Sequence, residues 1–149
     1  MKATLFISII FLFSSFCFKN FQIEDKVEVE IKIKNIDFKR KGIIGIAAFS
    51  EEYKKFFPSN KKGVIYSGKI NVSNKNEEVV KITLKKGKYA ISVLHDENEN
   101  NKIDFNFIGI PKEGYGFSNN PKIMFGPPGF DDCVINFTNN SKIEIVLKY

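Results

Sequence analysis

The sequence predicts an all-β protein: a single β-sandwich of about seven strands, Ig-like or transthyretin-like, carrying one long loop rich in glycine, proline and aromatic residues. Three observations predict it. Apolar and charged residues alternate with period two through most of the chain, the mark of strands buried on one face. Clusters of Gly, Asn, Ser and Lys break the alternating runs at short intervals. No apolar stripe of helical period extends beyond a turn or two.

Lys2, the apolar run Ala3 to Phe13 and the stretch Ser14-Ser15-Phe16-Cys17 form the charged, hydrophobic and small-residue regions of a secretory signal peptide. This expectation assigns residues 1–17 to the signal, with cleavage up to about residue 22, and residues 18–149 to the mature domain. The apolar run falls short of the roughly 18 residues of a membrane span, so the mature chain is expected in the periplasm or outside the cell, with no transmembrane span. Lipidation at Cys17 would need a small residue before it, and Phe16 stands there. Without Cys17, Cys133 is the one cysteine left, which rules out an internal disulfide. Its setting, Asp132-Cys133-Val134-Ile135, reads as a strand with the thiol a buried small hydrophobe.

The first strand is the clearest. Val27, Val29, Ile31 and Ile33 point one way while lysines and glutamates point the other. Further strands are predicted over Ile43 to Phe49, Val64 to Val72, Val79 to Leu84, Lys88 to Leu94, Val134 to Phe137 and Ile143 to Leu147. Turns fall at Lys41-Gly42, Ser73-Asn74-Lys75-Asn76, Lys86-Gly87 and Thr138-Asn139-Asn140-Ser141. The one helical piece, Glu51 to Phe57, is opened by Ser50 as N-cap and stopped by Pro58. The formal charge of +6, which loses one unit with Lys2, is spread over strands and turns as on a solvated sheet face. Such scatter excludes a nucleic-acid groove.

The insertion loop 96–130 departs from this pattern. Loops longer than about 12 to 15 residues are usually functional or disordered, and Phe105, Phe107, Tyr115, Phe117, Phe125 and Phe130 make this one too aromatic for disorder. Its glycines and prolines suit a compact cap with special turns. It begins with oxygen-bearing side chains at alternate residues, the way one loop wraps Ca²⁺. Against an EF-hand loop, Asp96, Asn98 and Asn100 take the first, third and fifth positions, Lys102 offers its carbonyl at the seventh, and Asp104 takes the ninth. Phe107 replaces the bidentate Glu at the end, so Glu113, Asp131 or Asp132 would have to complete the shell. Without an ion the same residues make a polar turn.

His95 is the only histidine, which excludes a multi-histidine metal centre. It continues the strand face of Tyr89, Ile91 and Val93. There it either fixes the loop by hydrogen bonds or, in a hydrolase alternative, acts as general base with Asp96, Asp104 or Glu113. Arg40 is the sole arginine, so an arginine clamp on phosphate or carboxylate is excluded. Gly114-Tyr115-Gly116-Phe117 and Gly126-Pro127-Pro128-Gly129 lack the helix start and Lys-Ser/Thr pair of a phosphate loop. His95, Tyr115 and Phe117 are instead candidates for a shelf on which a sugar or apolar ligand stacks.

The run HDENENNKIDFNFIGIPKEGYGFSNNP, followed by Phe125-Gly126-Pro127-Pro128-Gly129-Phe130-Asp131-Asp132, resembles the bacterial family of exported proteins designated DUF2141. The likeness extends from the Gly42 to Phe49 strand through Gly87-Lys88-Tyr89-Ala90 to the final strand. Asn101 stands where the family commonly shows glycine, and Cys133 where it commonly shows alanine. The resemblance implies export and a small β-sandwich, and brings no reaction with it. Together the residues predict an exported, noncatalytic binding or envelope-associated module with a Ca²⁺-stabilised loop. Its expected partner is an envelope component, a glycan or another exported protein. A transthyretin-like hydrolase built on His95 is the alternative, by fold analogy.

Overall fold

The computed structural model describes residues 25–58, 60–123 and 126–149. The expected signal peptide, Cys17 included, lies outside the described residues. What is described is a β-sandwich of two packed sheets. Strands β1 (Lys26–Lys34), β4 (Glu77–Lys85) and β8 (Ser141–Val146) form the smaller sheet in the order β4-β1-β8. The larger follows the order β3-β2-β5-β6, from β3 (Val64–Asn71), β2 (Ile43–Ser50), β5 (Gly87–Asp96) and β6 (Gly114–Phe117), while β7 (Ile135–Phe137) pairs with β5 beyond the end of β6. All pairings are antiparallel except β1 with β8, which run parallel with Val29 opposite Ser141.

The alternation explains the main core. Val27, Val29, Ile31 and Ile33 of β1 are buried and face Ile44, Ile46 and Ala48 of β2 and Tyr89, Ile91 and Val93 of β5, with Phe137 and Ile145 closing the layer. Each fully buried Ile or Phe contributes roughly 1.5–3 kcal/mol from lost apolar hydration. The charged faces of β1 and β4 meet water, and the diagonal cross-strand neighbours Lys32–Glu77 and Glu28–Lys81 form salt bridges.

The outer face of the larger sheet is buried too. Phe49 and Ala90, on the reverse of β2 and β5, form a second cluster with Phe117, Phe130 and Cys133, packed by Phe57, Tyr115, Ile123 and Val134. Phe57 sits at its centre, edge-on to Phe49, Phe117 and Phe130. A strand buried on both faces reads as a nearly continuous apolar run, as the β2 sequence Ile43-Ile44-Gly45-Ile46-Ala47-Ala48-Phe49 does.

Three expectations are corrected. The segment Glu51–Phe56 is a 3₁₀ helix broken at Tyr53, and Ser50 makes no side-chain cap. Cys133 closes a single helical turn, α1 (Phe130–Cys133), rather than lying in a strand. The 96–130 loop is not one cap: it contributes β6 to the larger sheet, and the chain beyond β6 folds back over that sheet's outer face. Gly114 and Gly116 make this possible. A β-carbon on Gly116 would lie 2.8 Å from the Ile145 side chain, and one on Gly114 2.5 Å from the Tyr149 ring, so glycine lets β6 approach the opposite sheet. Tyr115 and Lys148 exchange backbone hydrogen bonds of 2.9 and 2.8 Å, which seam the two sheets together on this side. Among the described residues no helix is long and apolar enough to cross a membrane.

Candidate functional site in the loop after β5

His95 and Asp96 end β5, and the chain then makes a tight polar turn to Asp104. Asp96 is only 2% exposed. Its two carboxylate oxygens accept the backbone N–H groups of Asn100 (3.1 Å) and Asn101 (2.7 Å), and Asn101 takes a positive φ of 64°. Asn98 Oδ1 accepts the Asn100 N–H at 3.1 Å, and Asn100 Oδ1 accepts the Lys102 N–H at 2.8 Å. These are Asx turns nested one in the next, the local bonding that favours Asn and Asp in turns. The amides of Asn98 and Asn100 both donate to Asp104 Oδ2, at 2.6 and 3.0 Å. Asn98, Asn100 and Asp104 therefore converge on one point.

Glu113 closes the loop. It is 3% exposed and lies immediately before β6. Oε1 accepts the Glu97 N–H at 3.0 Å and Oε2 the Asp104 N–H at 2.9 Å, so one carboxylate ties the beginning of the polar turn to its end. Asp132, another candidate for the ion shell, is engaged elsewhere and accepts the Gly129 N–H at 3.0 Å. Among the described residues no three His, Cys, Asp or Glu side chains gather as a metal-holding group. Any ion in the turn would need the asparagine and main-chain oxygens.

His95 is completely buried. Its Nε2 meets the Lys41 carbonyl and its Nδ1 the Tyr149 hydroxyl at 2.7 Å. A carbonyl can only accept, so the neutral ring carries its proton on Nε2, and Nδ1 accepts from the tyrosine. The same hydroxyl oxygen accepts the Asp37 N–H at 2.8 Å, which completes a directional chain from Asp37 through Tyr149 and His95 to Lys41. Burial raises the Tyr149 phenol above its ordinary range, opposed by the Asp37 N–H bond. Arg40 covers the Tyr149 ring, with its guanidinium carbon 4.6 Å from the centroid, and pairs with Asp37 (3.0 Å) and Glu97 (2.7 Å). The side-chain hydrogen bond to Glu97 is the main cause of its upward pKa shift.

Not every candidate residue is gathered here. Asp96, Asn98, Asn100 and Asp104 share the turn with the main chain of Lys102, whose carbonyl rather than its exposed side chain is the expected ligand and whose N–H donates to Asn100 Oδ1. Of the stacking shelf, only Tyr115 keeps partial exposure. His95 is sealed under Tyr149, and Phe117 is 8% exposed because β6 turns it into the second cluster. The expected shelf is thus corrected for His95 and Phe117, which are packing groups. Burial also pushes the Cys133 thiol up to about 12, helped by Asp132, which leaves no thiolate for chemistry.

Sequence reasoning missed Ser118-Asn119-Asn120. Ser118, fully buried, accepts the Ile91 N–H at 2.9 Å and donates to the Cys133 carbonyl. Asn120 donates to the Glu144 carbonyl at 2.9 Å and accepts the Val146 N–H at 2.8 Å, covering the outer edge of β8. Consecutive asparagines after a strand, both at positive φ, are the signal that could have marked the position.

No curated protein and no solved structure matches this chain. The model of a family described as an uncharacterized protein conserved in bacteria (DUF2141) matches residues 31–144. With β2 to β7 and the polar turn inside that match, and β1 and β8 partly so, the chain belongs to the DUF2141 family.

Proposed function

We propose that this protein is an exported, noncatalytic binding module of the cell envelope, whose recognition surface is the loop between β5 and β6. The observation that carries the reading is the state of His95. A general base must reach its substrate's proton, yet this imidazole is fully buried with both nitrogens bonded. Asp96 and Glu113, its partners in the hydrolase alternative, are occupied by main-chain N–H groups. What the loop offers the exterior is shape and apolar surface. The test is an esterase and amidase screen with activated p-nitrophenyl substrates, comparing the wild type with His95→Gln. Both should match the uncatalysed background. Turnover that disappears in His95→Gln would establish the hydrolase instead.

The convergence of Asn98, Asn100 and Asp104 favours a second element of this proposal, a Ca²⁺ ion held by Asp96, Asn98, Asn100, the Lys102 carbonyl and Asp104. Rotating the two asparagine amides would direct oxygens to the point where their N–H groups now meet Asp104. Extracellular calcium modules bind at roughly 0.1–1 mM. A site of about 0.1 mM affinity in about 10 mM Ca²⁺ stabilises by about 2.7 kcal/mol, a rise in melting temperature of about 5 to 10 °C. Mg²⁺ should do much less, since it dehydrates reluctantly and demands strict octahedral geometry. Asp104→Ala should remove the response. Asp96→Ala is the poorer probe, because Asp96 lies in the buried framework rather than outside it as its loop position suggests. Identical melting curves in Ca²⁺ and in chelator would leave the turn ion-free.

A further inference from the structure

The two outer edges of the smaller sheet differ. On β8 the Asn120 side chain takes up the Val146 N–H and the Glu144 carbonyl. β4, on the other side, pairs with β1 alone, and among the described residues no strand lies beyond it. Such an edge presents a row of main-chain N–H and C=O groups, a template for another strand. The larger sheet has an open edge as well, β3, but its one charge, Lys69, selects no partner.

The pattern on β4 does select one. Its exposed side chains run Glu77, Val79, Lys81, Thr83 and Lys85, so that Val79, 53% exposed, stands between charges of opposite sign. Turned about an axis through Val79, this pattern is its own complement. In an antiparallel pair of two β4 strands centred there, Glu77 of each copy stands opposite Lys81 of the other, and the two Val79 side chains meet. Opposite charges across a strand pair are favourable and like charges unfavourable. Moving the centre to Glu77, Lys81 or Thr83 brings like charges face to face, while Glu78, Val80 or Ile82 as centre leaves Glu77 and Lys81 with no opposite charge. The sheet behind the edge agrees with the Val79 register. Lys81 is in register with Glu30 and Glu30 with Lys142, while Glu77 is in register with Lys34. One row across the joined sheets therefore reads Lys142, Glu30, Lys81 of one copy and then Glu77, Lys34 of the other, with the sign changing at every step. Glu77 and Lys81 already bond Lys32 and Glu28 at 3.0 and 2.9 Å, and both a carboxylate and an ammonium have capacity for a second partner.

We infer that β4 is a self-pairing edge, through which two copies of this chain join their three-stranded sheets, antiparallel and centred on Val79, into one continuous sheet. The inference is independent of the loop after β5, and its failure leaves the calcium and hydrolase tests standing. Sedimentation velocity of the wild type from about 5 to about 500 µM should show a reversible monomer–dimer equilibrium that weakens in high salt. Glu77→Lys and Lys81→Glu should each raise the dissociation constant at least about tenfold, since each sets like charges opposite one another. An equimolar mixture of the two variants should dimerise again, because the positive edge of one then faces the negative edge of the other. Its recovery also shows that both variants fold. Val79→Cys should cross-link to itself under mild oxidation, as α-carbons directly opposite are about 4.5 to 5.5 Å apart, within disulfide reach. Thr83→Cys, whose two copies would stand roughly 26 Å apart, should not. A monomer at every concentration, single variants that dimerise like the wild type, a mixture that stays monomeric, or equal cross-linking at positions 79 and 83 would overturn the inference.

Discussion

Glu113→Ala is expected to lower the melting temperature by about 10 to 15 °C. The carboxylate is nearly inaccessible to water and accepts two backbone N–H groups, those of Glu97 and Asp104. Hydrogen bonds to a charged acceptor are worth about 1.5–3 kcal/mol each, and a donor left without a partner in the interior costs its desolvation. Water reaching the half-buried Asp104 recovers part of this, which places the loss at about 3 to 5 kcal/mol. At roughly 3 °C per kcal/mol for a chain of this size, the effect is easily resolved by scanning calorimetry. Glu113→Gln, which keeps the shape and one good acceptor, should lose about half as much. A fall of less than about 3 °C for the alanine variant would mean that solvent already satisfies both N–H groups.

Gly42→Ala should be nearly as damaging, and three glycines together separate its causes. Gly42 has φ +85°, where a side chain costs about 1–2 kcal/mol. In addition its β-carbon would lie 2.3 Å from the Asp96 carbonyl oxygen and 2.7 Å from the Glu97 α-carbon, both backbone atoms that cannot swing aside. Relief requires β2 and β5 to part where Ile43 faces Asp96, which also draws the Lys41 carbonyl away from His95. We expect a loss of about 3 kcal/mol or more, on the scale of backbone strain plus overpacking. Gly109, at φ +81° with open space around it, should show the φ cost alone. Gly45, where an added β-carbon would come no nearer than 3.8 Å to the Leu94 carbonyl oxygen, should tolerate alanine with little change. Equal losses at positions 42 and 109 would show that close approach to β5 contributes nothing.

The strands that alternate cleanly were legible because one-sided burial writes itself into sequence with period two: β1 and β4 are the plainest cases. β6 was not, because Gly-Tyr-Gly-Phe has the composition of a turn. Its glycines are there for the nearness of Ile145 and Tyr149, residues remote in sequence. The second apolar cluster escaped for the same reason, since Phe57, Phe117 and Phe130 come from separate segments and meet only when the chain folds back over β2 and β5. The polar turn was readable as a unit because all its side chains lie within nine residues of sequence from Asp96 to Asp104. Nothing local announced the sealing of His95, whose two partners, Lys41 and Tyr149, each stand 54 positions away.

The parallel pairing of β1 with β8 has a kinetic consequence. The central strand of the smaller sheet finds one neighbour across a separation of 112 residues, as between Val29 and Ser141 or in the Asn35 to Leu147 bond. Joining such distant segments costs loop-closure entropy before any contact returns it, and chains dominated by remote pairings fold in milliseconds to seconds rather than microseconds. β2, β3 and β5 can associate earlier through shorter connections, while the apolar face of β1 waits for its last partner. During that interval Val29, Ile31 and Ile33 are a hydrophobic strand with an open edge, the kind of segment that associates with other chains. The charges that alternate with them, Glu28, Glu30, Lys32 and Lys34, then act as gatekeepers that keep the unfinished chain soluble until β8 arrives.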